Sequence, residues 1–343
     1  MLSYDSSRRL GPERIPTATW GEFLGDSGFS SVSRIREIVA WWRLVLSSRD
    51  VKLVLADYAP LAMFAARSLG IKSIATGTGY GLPPPNMLEF PVLSQDATIR
   101  LHDEKVLVEN LNTVADEIGM PRLASFPELY RADLQLVRTL PFLDPYEEVR
   151  ENATYLPPVT DISPVLAQGG EEVFVYFSTI EFNDPGVVEA LANLPLPRRG
   201  YLPAPPPGVA ERLIQSGMIL EDRPVPVSKI AERSRILLNA GQHGILCLGL
   251  YAGLPQVCLF QHREQLFHAQ RAADQGVARV VHPREREERN LVTIIMETYH
   301  DAAMREKAHQ IARQLKAEMN VSPDLMLRNA IAPIRTELLK TSL

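Results

Sequence analysis

The chain has 343 residues, 45% of them apolar and 22% charged, with a formal net charge of −5. That is the composition of a globular protein of about two domains, and it excludes wholesale disorder and collagen. The acidic balance provides no broad basic surface, so nucleic acid is not expected as the main partner. Cys247 and Cys258 are too few for a disulfide scaffold and read as small buried hydrophobes. Residues 1–16 carry Arg8, Arg9 and Arg14 and lack a signal-peptide core. No stretch reaches the roughly 18 uninterrupted apolar residues of a membrane span. A soluble, cytoplasmic protein is expected.

Residues 33–48 place Ile35, Ile38, Val39, Trp42, Val45 and Leu46 at three- and four-residue spacing, the pattern of a helix with one apolar face. Trp41 and Trp42 read as helix core. Val51-Lys-Leu-Val-Leu-Ala-Asp57 is a buried parallel strand that delivers Asp57 at its carboxyl end. An alanine-rich helix over 59–69, stopped by Gly70, and a strand over 71–75 complete a right-handed βαβ unit. Gly77-Thr-Gly-Tyr-Gly-Leu-Pro-Pro-Pro85 is a loop, because glycine and proline both end regular structure. A helix over 103–118 and a strand over 133–138 follow.

The stretch 153–170, with Pro157, Pro158, Pro164 and Gly169-Gly170, reads as an interdomain linker. This divides the chain into a first domain over 1–155, a linker over 156–171, a second domain over 172–323 and a terminal segment over 324–343. The second domain begins with a strand over 172–177 ending at Ser178 and Thr179, then a helix over 186–193. Residues 194–208 are proline-rich and read as irregular. Short strands are expected at 218–220, 236–238, 256–260 and 278–281. Helices are expected at 227–232, 245–252, 264–275, 290–318 and 324–338.

The segment 236–269 carries the chemistry. It reads as strand, glycine turn, helix, Gly253-Leu-Pro255, strand, polar loop and helix. A glycine turn that opens a helix presents unpaired backbone N–H groups at the positive end of the helix dipole, which suits phosphate. Gly241 and Gly244 allow close backbone approach, and His243 adds a side-chain donor. The loop Gln261-His-Arg-Glu-Gln265 brings carboxylate and amide groups that suit sugar hydroxyls. Taken singly, His243 is more often a helix-cap or core histidine, and Glu264 more often a solvated first-turn residue.

The order and spacing of these parts resemble the donor-site signature of GT-B glycosyltransferases, the UDP-glycosyltransferases and bacterial antibiotic glycosyltransferases. The resemblance rests on Gly241-Gln-His-Gly244, Gly253-Leu-Pro255 and Glu264-Gln265 with Ala269. Asp57-Tyr-Ala-Pro60, the 77–84 loop, 173–178 and Val225-Pro226 also fall in family order. It implies an α/β fold of two Rossmann-like domains facing a cleft, with the terminal helix crossing back to the N-terminal domain. It implies inverting sugar transfer from a UDP or dTDP donor to a small-molecule acceptor, without a metal or other cofactor. Ser178 and Thr179 would contact the phosphates, Val225 and Pro226 the base, and Gly241, Gln242, His243 and Gly244 the diphosphate. Glu264 and Gln265 would bind the sugar. Gly77, Gly79 and Tyr80 would lie on the acceptor side.

The sequence departs from the family in two places. Ala240, Gln242 and Ile245 stand where the family has histidine, glycine and threonine. The family also opens with a strand, Gly-His and a helix, whose histidine is the catalytic base. No histidine precedes His102 here, so the N-terminal domain is expected to be incomplete. An oligomer that covers the exposed sheet edge is compatible with this. Asp57 matches the aspartate that orients that base; alone, it equally fits a cap for the helix near Pro60. Two alternatives to an active transferase stay open: a non-catalytic nucleotide-sugar binder or auxiliary subunit, and a sugar-nucleotide epimerase.

Overall fold

The computed structural model describes residues 9–10, 13–14, 17–93, 100–151, 154–158, 166–167, 169–177, 180–318 and 322–341. The chain divides into two compact units, Met1–Pro157 with Pro323–Leu343, and Pro158–Ser322.

The first unit carries a parallel four-stranded sheet of β1 (Leu53–Asp57), β2 (Lys72–Gly77), β3 (Leu134–Arg138) and β4 (Thr154–Leu156), paired in chain order. β4 occupies the start of the stretch read as linker, a correction: Tyr155 and Leu156 continue the ladder with Val137 and Arg138. Helix α1 (Trp20–Leu24) runs into a wider π turn over Gly25–Phe29, and α2 (Val32–Ser48) follows. Ser31 caps α2 by accepting the Arg34 N–H. The face of α2 that bears Ile35, Val39 and Leu46 is buried, whereas Trp41 is 55% exposed, so its reading as core is corrected.

Helix α3 (Pro60–Ser68) is the crossover between β1 and β2. Its small side chains let the backbone pack closely, and Phe64, Ala65 and Ala66 are fully buried. α4 (Glu104–Glu117) starts on the Asp103 cap. Helix α12 (Pro323–Thr341) belongs to this unit, and Ile334 packs with Ile74, Leu136 and Leu156.

The second unit holds six parallel strands: β5 (Glu172–Tyr176), β6 (Arg198–Tyr201), β7 (Ile219–Glu221), β8 (Ser234–Asn239), β9 (Gln256–Cys258) and β10 (Ala278–Val280). Their spatial order is β10-β9-β8-β5-β6-β7, that of a doubly wound sheet. β6 lies in the stretch read as irregular. There Arg199 bonds Glu172 and Glu221 on the strands either side, and the buried Arg198 guanidinium donates to the Leu194, Leu196 and Ser216 carbonyls.

Strand periodicity divides the core. Val173, Val175, Ile236 and Leu238 point to one layer, with α5 (Pro185–Asn193) and α10 (Glu288–His300). Phe174 and Leu237 point to the other, with α7 (Val227–Arg233) and α8 (His243–Ala252). Burying each such side chain contributes about 1.5–3 kcal/mol. Helices α6 (Val209–Gln215), α9 (Arg263–Asp274) and α11 (Ala302–Glu318) complete the unit.

Candidate functional site

In a doubly wound sheet, ligands bind beyond the carboxyl ends of the strands where the strand order reverses. Here that point lies between β5 and β8, paired through Asn239 and Tyr176. The chain leaves β8 at Asn239, turns at 240–242 and enters α8. Gly241 has φ +77°, and a Cβ there would stand 2.7 Å from the Gln265 carbonyl oxygen. Only glycine fits both constraints. The 241–244 turn and residues 264–265 are therefore one structural group.

The turn is held from below by a buried amide pair. Asn239 Nδ2 donates to Gln256 Oε1 at 2.9 Å, and Asn239 Oδ1 accepts the Gly241 N–H at 2.6 Å. Gln256 Nε2 donates to the Leu246 carbonyl, locking α8 to β9. Both side chains are fully buried. Sequence reasoning missed this pair, although an asparagine ending the apolar run Ile236-Leu-Leu238 was its signal.

Gly244 is exposed, and a Cβ there would meet nothing within 4 Å. The first-turn N–H groups of α8 have no intrahelical partner by construction, so the helix begins as a patch of positive potential beside open space. Gln242 folds over the turn, its Oε1 accepting the Ala240 N–H at 3.2 Å.

His243 is turned inward. It is 8% exposed, its ring centroid lies 5.0 Å from that of His268, and its Nε2 lies 3.7 Å from Cys247 Sγ. Burial pushes the Cys247 thiol pKa up and the His268 pKa well down, the latter helped by His243 and His262. Gln265 is also buried; its Oε1 accepts the Gln261 N–H at 2.6 Å, while its Nε2 has no partner among the described residues. Glu264, in the first turn of α9, is half-buried. Val225 packs against Phe174 and Leu237, and Pro226 is the exposed N-cap residue of α7. Ser178 and Thr179 lie outside the described residues.

In the first unit, Asp57 is exposed at the carboxyl end of β1, and its Oδ1 is the neighbour that a Cβ on Gly77 would meet at 3.7 Å. Among the described residues no histidine bonds its carboxylate. Nor does it cap α3, whose N-cap residue is Ala59, without a side-chain bond. Gly79 (φ +88°) approaches Asp144, and the Tyr80 carbonyl accepts the Tyr146 hydroxyl at 3.3 Å. Asp57, Gly77, Gly79 and Tyr80 therefore share one sheet edge.

No protein-family model matches the sequence, and no curated protein matches it. Solved structures do. The calicheamicin glycosyltransferase CalG4 superposes with a TM-score of 0.64 at 17% identity, over 87% of this chain and 78% of that one. The glycosyltransferase VinC, solved with dTDP, gives 0.59 at 17% identity, over 91% and 80%. SsfS6 of Streptomyces sp. SF2575, complexed with thymidine diphosphate, gives 0.57 at 15%, over 95% and 81%. The chain has the GT-B fold.

In this GT-B chain no group of three or more His, Cys, Asp or Glu residues suited to a metal ion occurs among the described residues. No described helix is long and apolar enough to cross a membrane.

Proposed function

We propose that this chain is a glycosyltransferase that moves a sugar from a UDP or dTDP donor to a small-molecule hydroxyl acceptor, with inversion. The observation that carries this reading is the Gly241 turn, which opens α8 at the strand-order reversal with Glu264 and Gln265 packed beside it. The GT-B neighbours solved with thymidine diphosphate support it.

In this reading the diphosphate rests on the N–H groups at the start of α8, beside Gly244. The bond from the anomeric carbon to the diphosphate breaks, and the negative charge that develops falls on those donors. That charge is assigned to backbone N–H groups and the helix dipole rather than to a bound metal. His243 enters through its backbone, because its ring is buried on His268. Glu264 and Gln265 serve the sugar hydroxyls, Val225 and Pro226 the base, and Ser178 and Thr179 the phosphates. Gly77, Gly79 and Tyr80 serve the acceptor.

Titration calorimetry with UDP and dTDP tests the donor site, and no binding of either at millimolar concentration would falsify it. A second reading, a non-catalytic nucleotide-sugar binder or auxiliary subunit, is favoured by the exposure of Asp57 and by the lack of a histidine on it among the described residues. Turnover that Asp57→Asn abolishes supports the transferase. Nucleotide binding without turnover supports the binder.

A further inference from the structure

The loop that carries Glu264 and Gln265 begins at Phe260, and Phe260 is held from outside the loop. Arg286 lies 26 positions further on, between β10 and α10, and its Nη2 donates to the Phe260 carbonyl. Arg286 is 4% exposed. Among the described residues its guanidinium makes this one hydrogen bond, and its Nε makes none. Burial pushes its pKa down, while the Asp184 and Glu181 carboxylates push it back up. Burying a guanidinium with so few bonds is costly. Its one bond falls on the residue that opens the loop.

Arg286 is itself fixed. Its carbonyl lies against Gly186 at the head of α5, where a Cβ would collide with it. Four residues earlier, His282 opens a short 3₁₀ turn over Pro283–Glu285 and donates its N–H to Glu285 Oε2 at 2.8 Å. The His282 ring meets the Phe260 ring edge-on, with centroids 5.2 Å apart at 90°. Phe260 is thus gripped at its carbonyl by Arg286 and at its ring by His282. The strand beneath is fixed by backbone bonds, Leu259 N–H to the Asn239 carbonyl at 2.8 Å and Val281 N–H to the Cys258 carbonyl at 2.9 Å. Gln265 closes the far end of the loop, through the Gln261 N–H and through its own carbonyl against Gly241. The fully buried Glu181 lies within electrostatic reach of both Arg286 and His262, the latter inside the loop.

We propose that Arg286 is a positioning residue for the donor sugar: by fixing the Phe260 carbonyl it sets where Glu264 and Gln265 stand relative to the turn that opens α8. This rests on the donor-site reading above and adds to it a residue that acts through the loop. Recognition by a loop depends on where its side chains are held, and a displacement of about 1 Å can lose about a hundredfold in rate. The turn that would carry the diphosphate has its own supports, the Asn239–Gln256 pair and the Asn239 bond to the Gly241 N–H. Loss of the Arg286 bond therefore loosens the sugar loop and leaves the diphosphate turn in place. Arg286 separates recognition of the sugar from recognition of the nucleotide.

The experiment is titration calorimetry on the full chain with UDP, dTDP, UDP-glucose and dTDP-glucose as probes. The quantity read is the affinity for a sugar nucleotide divided by that for its bare nucleotide. Arg286→Met keeps the side-chain stem and removes the donor. It is expected to lower this ratio about tenfold or more, with the affinities for UDP and dTDP unchanged. Arg286→Lys keeps a cationic donor without the rigid fork, and its ratio is expected to fall between those of the wild type and Arg286→Met. An unchanged ratio overturns the proposal. So does an equal loss for all four probes, which a purely structural role would give. Should Arg286→Met fail to fold, Arg286→Lys decides: a lowered ratio supports the role and an unchanged one overturns it. No binding of any probe to the wild type removes the donor site itself, whereas nucleotide binding with an unchanged ratio removes only the role of Arg286.

Discussion

Gly241 and Gln265 touch through backbone alone: a Cβ on Gly241 would stand 2.7 Å from the Gln265 carbonyl oxygen. The turn before α8 and the first turn of α9 are thereby one unit, and Gly241 adopts φ +77° to make the contact. Gly241→Ala meets the cost of a left-handed alanine, about 1–2 kcal/mol, and a clash with a carbonyl that cannot rotate away. A loss of about 2 kcal/mol or more is expected in urea unfolding, together with loss of nucleotide affinity. An unfolding midpoint equal to that of the wild type would show that the two turns are not in contact.

Arg150 and Asp144 form an ion pair at 2.6 Å with side chains 3% and 0% exposed. Arg150 also donates to the Leu82 carbonyl, and the Tyr155 hydroxyl donates to Asp144. The pair thus pins the 77–85 loop to the segment that ends the first unit. Asp144→Asn leaves a buried guanidinium without its counter-charge, which costs about 3–5 kcal/mol. The measurement is thermal unfolding, with a large drop in melting temperature expected. A shift as small as that of an exposed pair such as Lys52–Asp50 would contradict it.

His268 makes stability depend on pH. It is fully buried, and desolvation, helped by His243 and His262, holds its folded-state pKa well below the ordinary value. The unfolded chain therefore takes up a proton near pH 6.5 that the folded chain refuses. The stability is fully present above that pH and is lost as pH falls below it, at up to about 1.4 kcal/mol per pH unit. Urea midpoints from pH 7.5 down to pH 5 are expected to fall more steeply for the wild type than for His268→Gln. Parallel curves would mean that His268 titrates alike in the folded and the unfolded chain, against this account.

The βα rhythm was legible in the sequence because short continuous apolar runs such as 51–57 and 172–177 alternate with helical segments such as 33–48. β6 was not legible, since Arg198 and Arg199 look solvated between prolines, and only their carbonyl and carboxylate partners explain their burial. α1 and its π turn were hidden by three glycines in ten residues of the 20–29 segment. The packing of the 241–244 turn beside Gln265, the proposed donor site, could be anticipated because glycine spacing is local. The inward turn of His243 could not, because it depends on His268 across a helix boundary. The bond from Arg286 to the Phe260 carbonyl spans 26 positions and leaves no local pattern.

The most direct test of the donor site is nucleotide binding by Gly244→Asp. Gly244 faces open space in the first turn of α8, where an aspartate has room and a favourable helix dipole. The substitution is therefore expected to leave the melting temperature unchanged or slightly raised, while placing a negative charge where the diphosphate would rest. Calorimetry with dTDP and UDP is expected to show binding to the wild type and none to the equally stable variant. Equal affinity in the two proteins would contradict the assignment of the diphosphate to the start of α8.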